Sequence, residues 1–573
     1  MIFLKQARRH AVKLIGEKSS SLDLARGRLV LMSAFFVLAY MILAARAVDL
    51  MVIQARPAAL ADNGGMTETL LVVPGIMRAD ILDRNGELLA TTVKTASLYA
   101  DPLLISDKVK AAEALAKVFP DLHYGEILQK LQNGGRFARL HRNLMPGEQR
   151  AVLEIGEPGL AFKYEDRRVY PQGPLASHLV GYAGVDNKGL ASIEQSFDGL
   201  LTEGKPIALT LDIRLQHALR REMQEAVREF SAKGGAGVIM DVKTGEVLAS
   251  VSLPDFDPHD AGNAKDENVF NRVTLGTYEL GSVFKIFSTA AFLETHNVPM
   301  SASFDASQPI KRGKFTINDY HAEDRVLTIP EIFMYSSNIG AAMMGEAVGT
   351  ERMKAFYGDL GLTTQMQIDI PEVGKPQIPM PWREINTLTA SYGHGLATTP
   401  LQMTSAVASI VNGGYLVTPH LVYNQSQQET GKPDESLRVV SAQTAHRMRQ
   451  LMRLVVTAGT GEKAEVPGYR VGGKTGTAEQ SGGHGYDQSK LLSSFIGIFP
   501  AEAPQYAVFI VIDQPKGTKK SYGYATGGWV AAPAVSRVIA SMASILGLPP
   551  QDIAQSDDLS ASLKQFVMVK GHD

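Results

Sequence analysis

The sequence predicts a multidomain α/β protein with a single N-terminal transmembrane helix, an α+β module, and a larger domain in which helices flank a mainly antiparallel sheet. Three observations predict this. A basic leader runs into an apolar stretch over 29–45. Two strand-like runs at 237–251 are followed by a mainly helical stretch over 282–452, and further strand-like runs return at 469–513. We therefore expect one sheet built from both ends of the domain, with an all-helical insertion between them.

Composition narrows the possible functions. The chain has 573 residues, of which 45% are hydrophobic and 20% are charged, and this is typical of a globular protein of more than one domain. The net charge of −2 argues against a nucleic-acid partner. The absence of cysteine excludes thiolate catalysis, cysteine metal sites and disulfides, and it suits an oxidising bacterial envelope.

The N-terminus predicts a membrane anchor. Residues 1–28 contain seven Lys and Arg against two acidic residues, so the positive-inside rule places them in the cytoplasm and the rest of the chain in the periplasm. A cleaved signal peptide ending at 45–47 is the alternative. Its charged leader would be unusually long, so we favour an uncleaved anchor.

The chain divides by pattern into five parts. We expect a cytoplasmic tail at 1–28, an anchor at 29–48, an α+β module at 49–215, a second domain at 216–548 and a flexible tail at 549–573. In the module, Asn85-Gly86 predicts a hairpin over 79–93, and short helices are expected at 108–118, 126–131 and 148–153. In the second domain we expect helices at 215–230 and 529–546, strands at 237–242, 246–251, 469–477, 493–499 and 506–513, and loops at 424–436 and 480–488.

Ser282 and Lys285 lie at the start of an apolar segment that predicts a buried helix. Three residues apart, they share a face and can form a hydrogen bond. Burial and the helix dipole both disfavour a charged lysine there, and a neutral amine beside a hydroxyl forms a nucleophile with its base. A serine at a helix start is more often only an N-cap, so this motif alone is weak.

Two further polar motifs follow downstream. Ser336, Ser337 and Asn338 interrupt an apolar helical region, where a buried polar cluster is either a cap or the wall of a site. A second cluster, formed by Lys474, Thr475, Gly476 and Thr477, lies on a predicted strand, and glycines in a strand often mark close approach of a ligand to the backbone. The same Lys-Thr-Gly triplet begins at Lys243, between two strands, and is interpreted as a turn.

Ser-x-x-Lys, Ser-x-Asn and Lys-Thr-Gly in this order match the motif set of penicillin-binding proteins and serine β-lactamases. The chain resembles the class B penicillin-binding proteins, and within them the FtsI-type cell-division transpeptidases. Further motifs that carry the resemblance lie at 78–86, 168–171, 178–181, 189–194, 255–258, 271–272, 392–395, 399–402 and 532–533. Leu280 stands where the family usually has proline, and Ala79 where it usually has glycine; neither touches a reacting group.

The resemblance implies a role for each candidate residue. Ser282 would attack the carbonyl between the two terminal D-alanines of a peptidoglycan stem peptide, and Lys285 would take its proton. Ser336 would pass a proton to the leaving D-alanine, and Asn338 would orient Lys285 and the substrate amide. Lys474 would keep the potential positive. The remaining candidates, Ser337, Thr475, Gly476 and Thr477, would bind the substrate, with the N–H groups of Ser282 and Thr477 forming the oxyanion hole.

The resemblance further implies a penicillin-binding transpeptidase domain at 216–548 and a dimerisation-type pedestal at 49–215, without a metal or other cofactor. The implied partners are nascent stem peptides, β-lactams as covalent inhibitors, the inner membrane, an FtsW-type glycosyltransferase and other division proteins. The alternatives are an elongation-type enzyme of the lateral wall, a membrane-bound β-lactam sensor and a β-lactamase. No Leu-Asn dipeptide occurs in the chain, which argues against the deacylating glutamate loop of a class A lactamase.

Overall fold

The structure is a computed structural model that describes residues 77–568 except Lys314, 424–433, 483–484 and 551–557. Most of the predicted anchor lies outside the described residues. Six of its residues are described, and all of them are helical and exposed: Met32, Ala34, Val37, Leu38, Tyr40 and Met41. Among the residues described, no helix combines the length and the apolar character needed to cross a bilayer. The chain forms two compact units, Met1–Val73 and Pro74–Asp573, and the features below belong to the second.

In the residues described, the first part of this unit is a small sheet with six α-helices. Its strands are β1 (Ile81–Leu82), β2 (Leu88–Ala100), β3 (Ala138–Leu144), β4 (Leu160–Val169) and β5 (Ile207–Ala208). Its helices are α1 (Lys108–Val118), α2 (Tyr124–Gln132), α3 (Pro146–Ile155), α4 (Ser177–Val180), α5 (Ser192–Ser196) and α6 (Asp198–Thr202). Strand β2 pairs antiparallel with β1, β3 and β4, and β1 pairs parallel with β5. The predicted 79–93 hairpin is confirmed, with Gly86 at φ +86° in its turn.

A buried ion cluster ties distant motifs of this part together. Glu194 is fully buried and binds both Arg78 and Arg168 at 2.6 Å. Arg78 also binds Asp198 at 2.5 Å. Because a buried charge is tolerated only when it is paired and hydrogen-bonded, these residues must assemble together, which joins the segments before β1, at the end of β4 and in α5.

The second part contains a five-stranded sheet among the described residues. Its strands are β6 (Gly234–Asp241), β7 (Val247–Leu253), β12 (Gly472–Gly482), β13 (Gly485–Phe499) and β14 (Tyr506–Asp513). The order is β12-β13-β14-β6-β7, and every neighbouring pair is antiparallel. Strands from both ends of the domain thus form one sheet, as predicted, and β12 lies at its edge.

Helices cover both faces of this sheet. The helices of this part are α7 (Ile213–Glu229), α8 (Asp266–Val269), α9 (Lys285–His296), α10 (Ile329–Tyr335), α11 (Asn338–Val348), α12 (Thr350–Asp359), α13 (Glu384–Ala390), α14 (Pro400–Val411), α15 (Ala442–Ala458) and α16 (Ala531–Ile545). Successive residues of a strand face opposite sides. Val238 accordingly packs in the core that contains α9 and α14, and Ile239 packs in the core that contains α7 and α16.

The insertion between β7 and β12 is not all-helical, so that part of the predicted fold is wrong. It contains four short strands, β8 (Ser303–Asp305), β9 (Ile310–Arg312), β10 (Phe315–Ile317) and β11 (Val326–Thr328), which pair antiparallel as β9 with β10 and β8 with β11. Each is three residues long, and only Ile317 and Leu327 among their residues are buried, so none has a long alternating apolar pattern that would have revealed it.

Two other expectations differ from the structure. The segment 480–488, expected to be a loop, belongs mostly to strands, because β12 and β13 continue as a long hairpin to Gly482 and Gly485. In place of the flexible tail expected after residue 548, residues 558–568 pack on the domain. A 3₁₀ helix at Ala561–Phe566 buries Leu563, and Asp558 pairs with Arg453 at 2.8 Å. These contacts are non-local, which is why sequence pattern did not reveal them.

Candidate active site

Ser282 and Lys285 meet at the start of helix α9, as predicted. Gly281–Phe284 forms a 3₁₀ turn that continues into α9, and Gly281 adopts φ +54°, which favours glycine. Lys285 is 1% exposed, whereas Ser282 is half-buried. Lys285 Nζ lies 3.0 Å from Ser282 Oγ. Ser282 is therefore partly accessible to solvent while its hydroxyl contacts the buried amine.

The amine of Lys285 is surrounded by neutral oxygen atoms. Its Nζ lies 2.7 Å from Asn338 Oδ1 and 3.1 Å from Ser336 Oγ, and it donates to the backbone oxygen of Ser336. Burial lowers the pKa of Lys285 to about 7, while the negative charge of Asp319 acts in the opposite direction. Near neutral pH a substantial fraction of this amine is unprotonated, as a general base requires.

Ser336 occupies the corner between α10 and α11. It adopts a left-handed conformation with φ 63° and ψ 42°, which costs a non-glycine residue on the order of 1 kcal/mol. This turn directs its backbone oxygen and its hydroxyl toward Lys285. Strained residues of this kind are common at functional sites.

Lys474 on β12 completes the polar cluster. Its side chain is fully buried, and its Nζ donates to Ser336 Oγ at 2.9 Å and to the Thr475 backbone oxygen at 3.3 Å. Burial, and then the neighbouring charge of Lys285, lowers the pKa of Lys474 well below its ordinary value. Ser336 Oγ thus links the two lysines, and Ser282, Lys285, Ser336 and Lys474 form one continuous hydrogen-bonded chain.

The side chains that follow Lys474 on β12 are held by neighbouring loops. Thr475 Oγ1 shares a 2.7 Å hydrogen bond with Thr460 Oγ1, and Thr477 Oγ1 accepts from Gly527 N at 3.0 Å. Gly476 admits the approach of another backbone, since a Cβ there would lie 2.6 Å from Leu280 O. A glycine in this strand was expected to mark close approach of a ligand. In the structure, the backbone that approaches Gly476 is the segment that carries Ser282.

Ser337 differs from the other candidates. Its side chain is buried and donates to Asp319 Oδ2 at 2.6 Å, while its Oγ accepts from Gly340 N at 2.9 Å. It therefore caps helix α11 and does not join the chain from Ser282 to Lys474.

The backbones that would form an oxyanion hole run side by side. A Cβ on Gly281 would lie 2.7 Å from Thr477 O, and a Cβ on Gly393 would collide with Gly281 O. Gly393, at φ +88°, supports the turn before Ser282 from behind. Glycines at these crowded positions let Ser282 and Thr477 approach each other.

Sequence reasoning missed several residues that shape the site. Asp319, Thr460 and Gly527 contact candidate residues from segments far away in the chain. The pair Gly527-Gly528 could have been noticed in the sequence, because glycines often mark close backbone contacts. Nothing in the sequence around Thr460 or Asp319 indicated that these residues reach the site. The interpretation of the Lys-Thr-Gly triplet at Lys243 as a turn is confirmed, with Gly245 at φ +82°.

A cleft of about 570 Å³ adjoins the site without containing its reacting groups. Glu279 and Glu479, which flank the contact between the Ser282 segment and β12, line it together with Arg272, Asp513 and other polar residues. Of these two places in the described part of the chain, the Ser282 cluster is the one that combines a hydroxyl with a buried amine, so it is the candidate active site.

Comparison with known families agrees with the geometry. The family described as "Penicillin binding protein transpeptidase domain" matches residues 235–540, and "Penicillin-binding Protein dimerisation domain" matches residues 76–202. The first match includes Ser282, Ser336 and Lys474. The chain belongs to the penicillin-binding protein transpeptidase family.

Curated relatives and solved structures refine this class. "Probable peptidoglycan D,D-transpeptidase FtsI" of Caulobacter vibrioides is 39% identical over 82% of this chain and 82% of its own length. FtsI of Escherichia coli is 28% identical over 95% of both chains. Stage V sporulation protein D of Bacillus subtilis is 30% identical over 83% of this chain and 79% of its own.

Solved structures of penicillin-binding protein 3 from Mycobacterium tuberculosis, complexed with aztreonam and with ampicillin, resemble this chain at 27% identity. Their TM-scores are 0.66 and 0.67, covering 83% and 84% of this chain and 98% of each structure. The predicted resemblance to class B penicillin-binding proteins of the FtsI type is confirmed.

Proposed function

We propose that this chain is a serine D,D-transpeptidase that crosslinks peptidoglycan stem peptides during septal wall synthesis and is acylated by β-lactams. The observation that carries the proposal is the hydrogen-bonded chain from Ser282 through Lys285 and Ser336 to Lys474. It places a nucleophile, a base with a pKa near 7 and a second proton carrier within one cluster. The family match and the FtsI relatives support the same activity.

In the first step Ser282 Oγ attacks the carbonyl carbon of the bond between the terminal D-alanines. Its proton passes to Lys285 Nζ, and the carbonyl oxygen becomes an oxyanion held by the N–H groups of Ser282 and Thr477. Each such donor contributes on the order of 10²–10³ in rate. Asn338 Oδ1, at 2.7 Å from Lys285 Nζ, steadies the amine as it becomes charged.

In the second step the C–N bond breaks and the terminal D-alanine leaves as an amine. The proton it needs comes from Lys285 through Ser336 Oγ, which contacts both lysines. Lys474 and the hydroxyls of Thr475 and Thr477 face the terminal carboxylate of the donor, whose negative charge favours the ammonium form of Lys474.

In the third step an amine of a neighbouring stem peptide attacks the acyl-serine. A new C–N bond forms and the ester C–Oγ bond breaks, while the proton lost by the amine passes through the Lys285–Ser336 relay to Ser282 Oγ. Strand β12 lies at the edge of its sheet, so an extended peptide can pair with it by strand addition. This mode of binding suits a linear stem peptide.

Transfer to an amine is the direct test of this activity. We would incubate the purified protein with a stem peptide ending in D-Ala-D-Ala and a second peptide bearing a free amine, and detect the crosslinked product by mass spectrometry. Crosslinking with release of one D-alanine is expected, and Ser282→Ala should abolish it while the fold is kept. Crosslinking that persists in folded Ser282→Ala would overturn the proposal.

The septal role is favoured over the elongation role by the FtsI relatives. The resemblance to FtsI-type proteins also implies an FtsW-type glycosyltransferase and other division proteins as partners. Depletion of the protein in cells separates the two roles. We expect filaments, as in a block of division, whereas rounded cells would favour the elongation role.

We also propose that residues 29–48 anchor the chain in the inner membrane with the N-terminus in the cytoplasm and the catalytic domain in the periplasm. The basic leader before the apolar run supports this. A reporter that is active only outside the cytoplasm should work when fused after Asp573, and the mature protein should begin near Met1. N-terminal sequencing that starts near Val48 would replace the anchor with a cleaved signal peptide.

A further inference from the structure

Asp319 follows strand β10 and binds the start of helix α11 with both carboxylate oxygens. Its Oδ2 accepts from Ser337 Oγ at 2.6 Å. Its Oδ1 accepts from Ile339 N at 2.9 Å and from Asn338 N. One side chain thus satisfies two free N–H groups of the helix N-terminus and fixes the capping serine.

The neighbouring Asn318 fixes the side chain of Asn338 as well. Asn338 Nδ2 donates to Asn318 O at 2.9 Å, while Asn338 Oδ1 lies 2.7 Å from Lys285 Nζ. Because the amide donates on one side and accepts on the other, the first bond determines that the oxygen faces the lysine. The segment 318–319 therefore holds the backbone and the side chain of Asn338 in the orientation that Lys285 uses.

Asp319 also affects Lys285 by its charge. The charged and titratable side chains near Lys285 include Asp319, Lys474 and His394, and the negative charge of Asp319 favours the ammonium form of this lysine. Asp319 itself is half-buried, so solvent screens this effect only in part. Burial therefore lowers the pKa of Lys285, and the partly screened negative charge of Asp319 raises it.

We propose that Asp319 is a positioning residue for acyl transfer. It clamps Ser337 and the first turn of α11 so that Asn338 stays directed at Lys285, and it supplies the negative charge that stabilises Lys285 when the amine takes the proton of Ser282. The proposal rests on the proposed transpeptidase function and adds to it a residue outside the three sequence motifs.

The variants separate the clamp from the charge. Asp319→Asn removes the charge but keeps an oxygen for the backbone N–H groups and an amide for Ser337. Asp319→Ala removes both, and Ser337→Ala removes the hydrogen bonds of Ser337 Oγ to Asp319 and to Gly340 but keeps the charge. Asp107→Asn is the matched control, because Asp107 also caps a helix, α1, by accepting from two backbone N–H groups.

The measurement is the rate of acylation by a fluorescent penicillin between about pH 5 and 9, with melting temperature as a check of folding. In the unaltered protein the rate should rise with pH as Lys285 loses its proton. Asp319→Asn should shift this rise to lower pH, because losing the negative charge lowers the pKa of Lys285. Ser337→Ala should leave the rise in place and lower the plateau.

Asp319→Ala should lower the plateau by up to about 10²-fold, the scale of loss when a reacting group is misplaced. Asp107→Asn should change neither the plateau nor the pH of the rise. A rise that stays at the same pH in Asp319→Asn would overturn the role of the charge. A plateau that is unchanged in folded Asp319→Ala would overturn the clamp. Acylation of the unaltered protein is measured first, so failure of the transpeptidase proposal would be visible separately.

Discussion

At the scale of single residues, the proposed mechanism requires the Lys285 amine to be neutral before Ser282 can react. Burial lowers the pKa of Lys285 to about 7, and its ordinary value is 10.5. Below pH 7 most of the amine is protonated and cannot take the proton of Ser282. Above pH 7 it is mostly neutral, so the base is available.

The first prediction follows from this pH dependence of the Lys285 amine. Acylation by a penicillin should increase about tenfold per pH unit well below pH 7 and level off above it, as expected for a single base. Stopped-flow measurement with a fluorescent penicillin would check this. Lys285→Arg should not be acylated at any of these pH values, because its guanidinium stays protonated. A rate that is flat through pH 7 would show that another group is the base.

The proposed reacting residues, which the structure brings together, could be singled out from sequence because their chemistry requires unusual residue types in unusual places. A lysine in an apolar helix and a Lys-Thr-Gly triplet on a strand are such cases. Asp319 and Thr460 could not be predicted, since their contacts form only when distant segments fold together. Ser337 was expected in the site, but its hydroxyl caps α11.

At the scale of elements, the turn before Ser282 depends on the close contact between Gly281 and Gly393. Gly393 and Gly395 both have positive φ, of +88° and +79°. A Cβ at Gly393 would collide with Gly281 O, whereas at Gly395 the nearest atom would be Thr389 Oγ1 at 3.7 Å. Both glycines therefore require positive φ, but of the two only Gly393 contacts the turn before Ser282.

The second prediction compares Gly393→Ala with Gly395→Ala. Both should lose on the order of 1 kcal/mol of stability for placing alanine at positive φ. Gly393→Ala should in addition displace Gly281 and lower the acylation rate by about 10²-fold. Melting temperature and acylation rate would be measured on both. Equal acylation rates in the two variants would show that Gly393 does not support the nucleophile.

Elements with local signals matched their predicted bounds, and those without did not. Helix α1 (Lys108–Val118) was predicted at its observed residues because Asp107 caps it, and β14 (Tyr506–Asp513) is a continuous apolar run. The short strands of the insertion have little buried apolar surface. The segment after Gln480 is rich in glycine and polar residues, which predicts a loop, but pairing between β12 and β13 extends to Gly482 and Gly485.

At the scale of the whole molecule, the C-terminal segment braces the helices behind the site. Arg453 on α15 binds Asp558 at 2.8 Å and donates to Val471 O, just before β12, at 2.8 Å. The Phe566 backbone oxygen accepts from Thr328 Oγ1 at 2.8 Å, next to α10. The segment thus contacts the elements that lead to both Ser336 and Lys474.

The third prediction is that a chain ending at Leu548 loses about 3 kcal/mol or more of stability. It would leave the buried Arg453 without one carboxylate and uncover the site of Leu563. Chemical denaturation would measure the loss. A chain ending at Met568 is the control and should match the full chain. If both truncated chains are equally stable, the segment does not brace the domain.

In the proposed reaction, Ser282 forms an acyl-enzyme that resists hydrolysis, and the acyl group is then transferred to an amine. An enzyme that transfers its acyl group gains from excluding water, since hydrolysis wastes the activated peptide. A lactamase needs the opposite property. The fate of a penicillin bound to Ser282 separates these two behaviours.

The most direct test is a time course of penicillin consumption together with the intact mass of the protein. We expect a burst of one acyl group per protein, located on the peptide that contains Ser282, followed by turnover over hours. The adduct should survive denaturing electrophoresis. Steady turnover of many penicillin molecules within seconds, or an adduct on a residue other than Ser282, would contradict the account.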